Sequence, residues 1–228
     1  MKIIIATIKS WNIRNADEFR KDNDYEHDVF IVTNKHDLTY EKVREINPEY
    51  IFFPHWSWII PKEVYGTFNC IVFHMTDLPF GRGGSPLQNL IERGIENTKI
   101  SAIKVDDGID TGDIYFKESL NLNGTADEVF IRASEIIFKK MIPRIISEKI
   151  IPETQKGEIV QFKRRNPSES EIFSNFDLEK IYDYIRMLDG EGYTGAFIKF
   201  GKYKLEFSRA SLKNNKIIAD VEIIDEDG

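Results

Sequence analysis

Three groups in this 228-residue chain carry side chains that could do chemistry together. The first is His74, delivered by the apolar run CIVFH (70–74) into the polar turn MTDLP. An imidazole at a strand end either moves protons near neutral pH or simply finishes the strand. The second is the loop FGRGGS (80–85). Glycines 81, 83 and 84 allow positive φ and close backbone approach to a ligand, and Arg82 adds a cation. The same loop is also what an ordinary turn looks like, and it matches neither a Walker A motif nor a GxGxxG fingerprint. The third is the acidic segment VDDGIDTGDI (105–114). A carboxylate there can orient an imidazole, fix its tautomer and stabilise its charged form. Asp106 and Asp107 are adjacent, so they do not read as a working pair; they suit a loop that binds its own backbone N–H groups.

The elements that must position these groups read as an α/β fold. KIIIATI (2–8), HDVFIVT (27–33), YIFFP (50–54) and CIVFH are β-rich apolar runs of the kind found in parallel strands covered on both faces. TYEKVREINP (39–48) and SPLQNLIERG (85–94) read as helices, the first capped by Thr39, the second by Ser85 with Pro86 at its first position. KISAIKVDDG and GDIYFKESL follow as two strands joined by a short link, which predicts one antiparallel strand. Thr125 and Glu128 form a capping box opening a long helix to about Met141, stopped by Pro143. The expectation is a Rossmann-like, mostly parallel sheet with helices on both faces over 1–155, followed by a small α+β region over 156–228. Ligands of such sheets bind outside the carboxyl ends of the strands. The polar tips there are KSWN (9–12), HWSW (55–58) and HMTDLP (74–79), with the acidic loop able to reach the same rim.

Composition excludes several classes. The formal net charge is −7, so no global basic face exists to hold nucleic acid or an anionic membrane. The single cysteine, Cys70, rules out a disulfide framework or a cysteine metal site, and the four histidines lack metal-ligand spacing, so no metal is expected. The opening MKIIIATIKSW has no signal-peptide pattern, and no segment approaches the ~18 apolar residues of a spanning helix. A cytoplasmic protein without membrane or nucleic-acid partners is expected.

The register H-x-x-x-L-P-x-x-R-G-x-x-P-x-Q over His74–Gln88, followed by VDDGIDTGDI, resembles the 10-formyltetrahydrofolate-dependent formyltransferases. FKRRNPSESEI (162–172) and YTGAFIKFGKYKL (193–205) are similar to the region after the catalytic domain of methionyl-tRNA and sugar N-formyltransferases. The resemblance implies 10-formyltetrahydrofolate as co-substrate and attack of an uncharged amine on its formyl carbon. It assigns His74 to proton transfer and to the oxyanion, and Asp110 to polarising His74 and relaying protons. The pterin would lie against Trp58, Ile60 and the backbone of Val105, Asp106 and Gly108. For the two tryptophans of HWSW, plain packing is the other reading. The third catalytic residue of the family is an asparagine two positions before the histidine, where this chain has Val72. Either another amide substitutes, or turnover is slow, or catalysis has been lost. Asn12 is the candidate substitute, because the first strand should neighbour the His74 strand in the usual doubly wound order; it also reads as a turn residue.

The short tail and the negative charge resemble the sugar N-formyltransferases more than the tRNA enzymes. That likeness implies a nucleotide-linked amino sugar as acceptor, its diphosphate met by Lys9, Arg82, Gly83, Ser85 and the Pro86 helix end. It also implies a homodimer through the C-terminal region. The alternatives are a methionyl-tRNA formyltransferase-like enzyme and a catalytically impaired binding homologue.

Overall fold

In a computed structural model of the chain, which describes residues 1–226, the elements run β1 (Lys2–Ala6), α1 (Ser10–Asp22), β2 (Asp28–Val32), α2 (Tyr40–Ile46), β3 (Tyr50–Phe53), α3 (Lys62–Tyr65), β4 (Cys70–His74), β5 (Phe80–Gly83), α4 (Pro86–Glu92), β6 (Asn97–Lys104) and β7 (Ile114–Asn121). They continue with α5 (Ala126–Ile136), a π-helical turn (Ile137–Met141), α6 (Ile142–Glu148), β8 (Val160–Phe162), α7 (Leu178–Leu188), β9 (Ala196–Phe200), β10 (Tyr203–Lys213) and β11 (Lys216–Asp225).

Two units share the chain. The first takes Met1–Gly83, Thr98–Leu120 and Ile131–Gln161. Its six-stranded sheet has the order β2-β1-β3-β4-β6-β7. β1 pairs in parallel with β2 and β3, and β3 with β4; β1, β3 and β4 are covered on both faces as expected, whereas β2 lies at the sheet edge and keeps Asp28 and Phe30 exposed. Ile3, Ile4, Ile5, Ile51, Phe52 and Ile71 are wholly buried along them. The Rossmann-like, mostly parallel architecture is therefore what forms. β6 is the strand that reverses: it runs antiparallel to β4, with Ile71 opposite Lys104 and His74 opposite Ser101.

The strand order corrects one expectation. β3 lies between β1 and β4, so the strand before Asn12 does not neighbour the His74 strand. The chain leaves β2 and returns across β1 to its other side. That places the reversal of strand order between β1 and β3, where the Thr7 hydroxyl donates to Pro54 O.

Two helical boundaries also differ. Ser10–Asp22 forms a helix that the sequence did not advertise: its N-cap is Lys9 at φ 78°, with no capping side chain and no acid in the first turn. The long helix from Ala126 does not stop at Pro143 but runs on to Glu148. The π-helical turn before Pro143 rearranges the bonding ladder, and the proline falls in the first turn of α6, where its missing N–H costs little.

The second unit takes Gly84–Asn97, Asn121–Phe130 and the chain from Phe162 onward. α7 is capped by Asp177, whose carboxylate accepts from Lys180 N, and it buries Tyr184, Ile185, Met187 and Leu188. Three antiparallel strands in the order β11-β10-β9 complete it. Among the described residues no helix is long and apolar enough to cross a membrane.

Candidate active site

β4 ends at His74 because the apolar pattern ends there, and the residue stays only 8% exposed. Its Nε2 lies 2.7 Å from Gly81 O. A carbonyl oxygen can only accept, so Nε2 carries the proton and donates it. The other ring nitrogen, Nδ1, then faces Asp110 Oδ2 at 3.5 Å. It presents a lone pair when the ring is neutral and an N–H when the ring is charged.

Asp110 does not arrive there simply. β6 runs against β4, so the acidic loop begins beside the wrong end of β4: Val105 N donates to Cys70 O. The loop must double back to reach His74, and its residues are those that a tight reversal requires. Asp106 Oδ1 accepts from Gly108 N and from the Thr111 hydroxyl, closing the loop on itself. A Cβ on Gly112 would stand 1.7 Å from Lys104 O, so only glycine fits. Asp110 itself adopts φ 55°, a left-handed conformation rare outside glycine and found at sites where geometry outweighs strain. Its Oδ2 accepts from Gly83 N at 2.9 Å, which fixes the carboxylate on the histidine side.

Sequence reasoning missed Gln155. It lies in a stretch without regular structure, half-buried, and uses both ends of its amide. Oε1 accepts from Arg82 Nε (3.1 Å) and Nη2 (2.8 Å); Nε2 donates to Asp110 O (2.9 Å) and Gly112 O (2.8 Å). Arg82, also half-buried, forms no ion pair among the described residues. Its charge is met by a neutral oxygen alone.

The remaining candidates divide. Ile60 is buried, Trp58 is 37% exposed, and Ile59 and Ile109 stand out at 96% and 77%. Trp56 meets Trp58 edge-on at 4.8 Å and packs with Val72 and Val105 against the core that contains Ile60 and Cys70. The Trp56 indole N–H is buried with no acceptor among the described residues. Val72 thus belongs to an apolar wall, and no amide occupies its place. Asn12 is 2% exposed in the first turn of α1, with its carbonyl oxygen lacking a partner among the described residues, so it is a buried helix residue and not a turn residue. The backbone N–H groups of Val105, Gly108 and Gly83 already serve Cys70, Asp106 and Asp110, and the Asp106 carboxylate serves its own loop. Lys9 caps α1, with its ammonium 5.9 Å over the Trp11 ring.

Ser85 does not cap α4 with its side chain: at φ 49° its hydroxyl instead accepts from Arg165 N. The segment 163–165 lies across that end of the helix. A Cβ on Gly84 would meet Arg164, and Asn89 donates to Lys163 O, so the expected anion pocket at the Pro86 helix end is filled by the chain itself.

Two further perturbed groups border the loop. The Asp107 carboxyl is held below its ordinary range by hydrogen bonds from Tyr65 and from Lys62, which pairs with it at 3.0 Å. Burial pushes the Cys70 thiol up to about 12. No cluster of three or more His, Cys, Asp or Glu suited to a metal ion occurs among the described residues.

With this geometry in view, the comparisons are specific. The formyl transferase family pattern matches residues 18–135, more than half of the chain, and a pattern described as the methionyl-tRNA formyltransferase C-terminal domain matches residues 167–224. A methionyl-tRNA formyltransferase from Clostridium botulinum is 28% identical over 190 residues, covering 78% of this chain and 62% of that protein. The chain therefore spans less than two thirds of that relative's length. A solved structure of a methionyl-tRNA formyltransferase from Clostridium thermocellum is 69% identical, with a TM-score of 0.98 over 99% of both chains. A sugar N-formyltransferase from Shewanella, 13% identical, covers 92% of this chain and 97% of its own at a TM-score of 0.71, a likeness of fold. His74 and Asp110 both fall inside the first matched segment: the chain belongs to the formyl transferase family.

Proposed function

We propose that this protein transfers the formyl group of 10-formyltetrahydrofolate to a primary amine, with His74 and Asp110 as its acid–base pair. The observation that carries the reading is the approach of His74 Nδ1 to Asp110 Oδ2 at 3.5 Å, with Nε2 already committed to Gly81. In such a transfer the attacking amine must lose a proton and the departing folate nitrogen must gain one. Nδ1 is the ring atom free to do both, and the carboxylate facing it favours the charged ring in between. The positive charge of that ring, rather than a further N–H, opposes negative charge developing on the formyl oxygen, since Nε2–H is held by Gly81 and Nδ1–H faces Asp110. Gly83 N, committed to Asp110, is not available for that task, and Val72 has nothing to donate.

The residues suit a flat, partly polar donor ring. Trp58, Ile60 and the Val105 side offer apolar contact, Ile59 and Ile109 leave apolar surface in water, and the Trp56 N–H lacks an acceptor among the described residues. The donor supplies the formyl group; the chain supplies its seat, the proton path and the exclusion of water by these apolar side chains.

For the acceptor, the comparisons favour methionyl-tRNA over the amino sugar read from the tail. The solved relative at 69% identity bears that name, and the pattern matched at 167–224 belongs to such enzymes. A nucleotide-linked amino sugar is the second reading, favoured by the net charge of −7 and by a half-buried Arg82 without an ionic partner, suited to one diphosphate. One assay separates them: 10-formyltetrahydrofolate is offered with methionyl-tRNA or with a panel of amino-sugar nucleotides, and release of tetrahydrofolate is followed. Turnover on tRNA should fall steeply with added salt, because phosphate contacts release counterions. Turnover on sugars alone moves the acceptor to the second reading. Absence of turnover on every amine, or turnover that survives His74→Ala unchanged, overturns the proposal.

A further inference from the structure

We infer that Gln155 is a positioning residue that holds the Asp110 carboxylate on His74 and ties that carboxylate to the orientation of the Arg82 guanidinium. The inference deepens the acid–base reading of His74 and Asp110 and rests on it.

A side-chain amide donates from one end and accepts at the other, which charged side chains cannot do. Gln155 meets two donors from Arg82 at one end and two acceptors, Asp110 O and Gly112 O, at the other. A carboxylate has acceptors only and an ammonium donors only, so neither satisfies both sides. The arrangement also fixes which end of the amide is oxygen, because the reverse orientation would face N–H against N–H and carbonyl against carbonyl.

Each end acts on one wall of the site. Nε2 grips the acidic loop at the residue that carries the carboxylate and again two residues on. Asp110 sits there at φ 55°, a conformation that a non-glycine residue keeps only when its surroundings enforce it. Oε1 holds Arg82, whose neighbour Gly83 donates its N–H to Asp110 Oδ2. Gly81, on the other side of Arg82, accepts the His74 Nε2–H. The polar circuit therefore runs from His74 through Gly81 and Arg82 to Gln155, into Asp110 and back to His74. Gln155 reaches this circuit from a third segment, outside both loops and β4. An anion drawn to the unpaired Arg82 guanidinium would pull on the same amide that sets Asp110, so acceptor binding and carboxylate placement are coupled.

Two variants divide the two ends. Gln155→Glu keeps an acceptor for Arg82 and turns the loop-facing contacts repulsive; Gln155→Ala removes both. The first readout needs no turnover: hydrogen exchange of the Gly83 amide, the N–H that Asp110 accepts. Both variants should accelerate it at least tenfold, as Asp110→Ala should too, while the melting temperature and the exchange of the β1 and β3 amides stay at wild-type values. The second readout is kinetic, on whichever acceptor turns over. kcat should fall by about 10²-fold, the usual cost of an ångström-scale misplacement, with KM for the folate donor unchanged. If no amine is formylated, the functional reading fails while Gly83 exchange still judges this one. Gly83 protection unchanged in both variants, or lost only together with that of the core strands, would overturn it.

Discussion

His74 turns Nδ1 toward Asp110 because Gly81 holds its Nε2 at 2.7 Å, so one backbone carbonyl sets the tautomer of the ring. Asp110→Asn tests what the carboxylate adds. An asparagine oxygen can still accept from Gly83 N, so the loop should keep its place and the melting temperature should change little. The charge opposite Nδ1 is lost, and with it the support for a protonated ring. We expect kcat to drop by roughly 10²–10⁴-fold, the range of general acid–base assistance, in a tetrahydrofolate-release assay. A drop confined to KM would assign Asp110 to binding instead.

Val72→Asn restores an amide two residues before the histidine, on the strand face that carries Cys70 and His74. If negative charge on the formyl oxygen lacks a side-chain donor in this chain, the variant should raise kcat, and by up to about 10²-fold if the amide is aimed well. The amide also enters an apolar wall beside Trp56 and Val105, and should lower stability by about 1–3 kcal/mol where it finds no partner. Urea unfolding and steady-state rates measured on one preparation separate the two effects.

The parts of this structure legible in the sequence are those governed by periodicity and local caps. β1, β3 and β4 are continuous apolar runs with one way to be buried, and Thr39 and Asp177 cap their helices as short polar side chains do. His74 and Asp110 were legible as residue types in a recognisable register. The route between them was not, because a loop that leaves the wrong end of β6 and doubles back is fixed by contacts such as Gly112 on Lys104 O, not by pattern. α1 was hidden because its N-cap is a lysine at positive φ with no capping side chain. Asn12 was misjudged through strand order, a property of the whole sheet. Gln155 gave no signal at all, since glutamine in an irregular stretch looks solvated until both ends of its amide are accounted for.

Gly112→Ala tests the doubling back directly. The new Cβ would stand 1.7 Å from Lys104 O, a backbone atom held in the sheet, so the loop has to move. A stability loss of about 2 kcal/mol or more is expected in chemical denaturation, from strain at a position with no room to relax. Activity should fall further than stability explains, because Asp110 lies two residues away. Unchanged activity in folded Gly112→Ala would show that the carboxylate is not held by this reversal.

Burial of Cys70 predicts an alkaline limb. The folded chain keeps the thiol neutral up to about 12, against an ordinary 9.0, and burial raises the Tyr115 hydroxyl to about 12 from 10.0. The unfolded chain therefore releases these protons first. Their contribution to stability is complete below pH 9 and is lost as pH rises from 9 toward 12. Denaturant midpoints should fall over that range. Iodoacetamide at pH 8 should alkylate Cys70 only as fast as the chain opens, and prompt labelling of the folded protein would contradict this account.

Arg82 is a half-buried cation with no ion-pair partner among the described residues. Gln155 Oε1 takes Nε and Nη2, and no carboxylate among the described residues pairs with the fork. A half-buried guanidinium in that state attracts a phosphate, whether it belongs to a nucleotide sugar or to a tRNA backbone. Arg82→Gln should therefore raise KM for the acceptor about tenfold or more, the cost of roughly one charge-assisted hydrogen bond, while KM for the folate donor stays constant. Arg82→Lys keeps the charge but not the fork, so it cannot hold Gln155 and meet an anion at once. It should recover acceptor affinity only in part and show a lowered kcat, because the Asp110 loop loses one of its anchors. A lysine variant equal to wild type in both constants would separate Arg82 from the positioning of Asp110 and leave it a simple point charge.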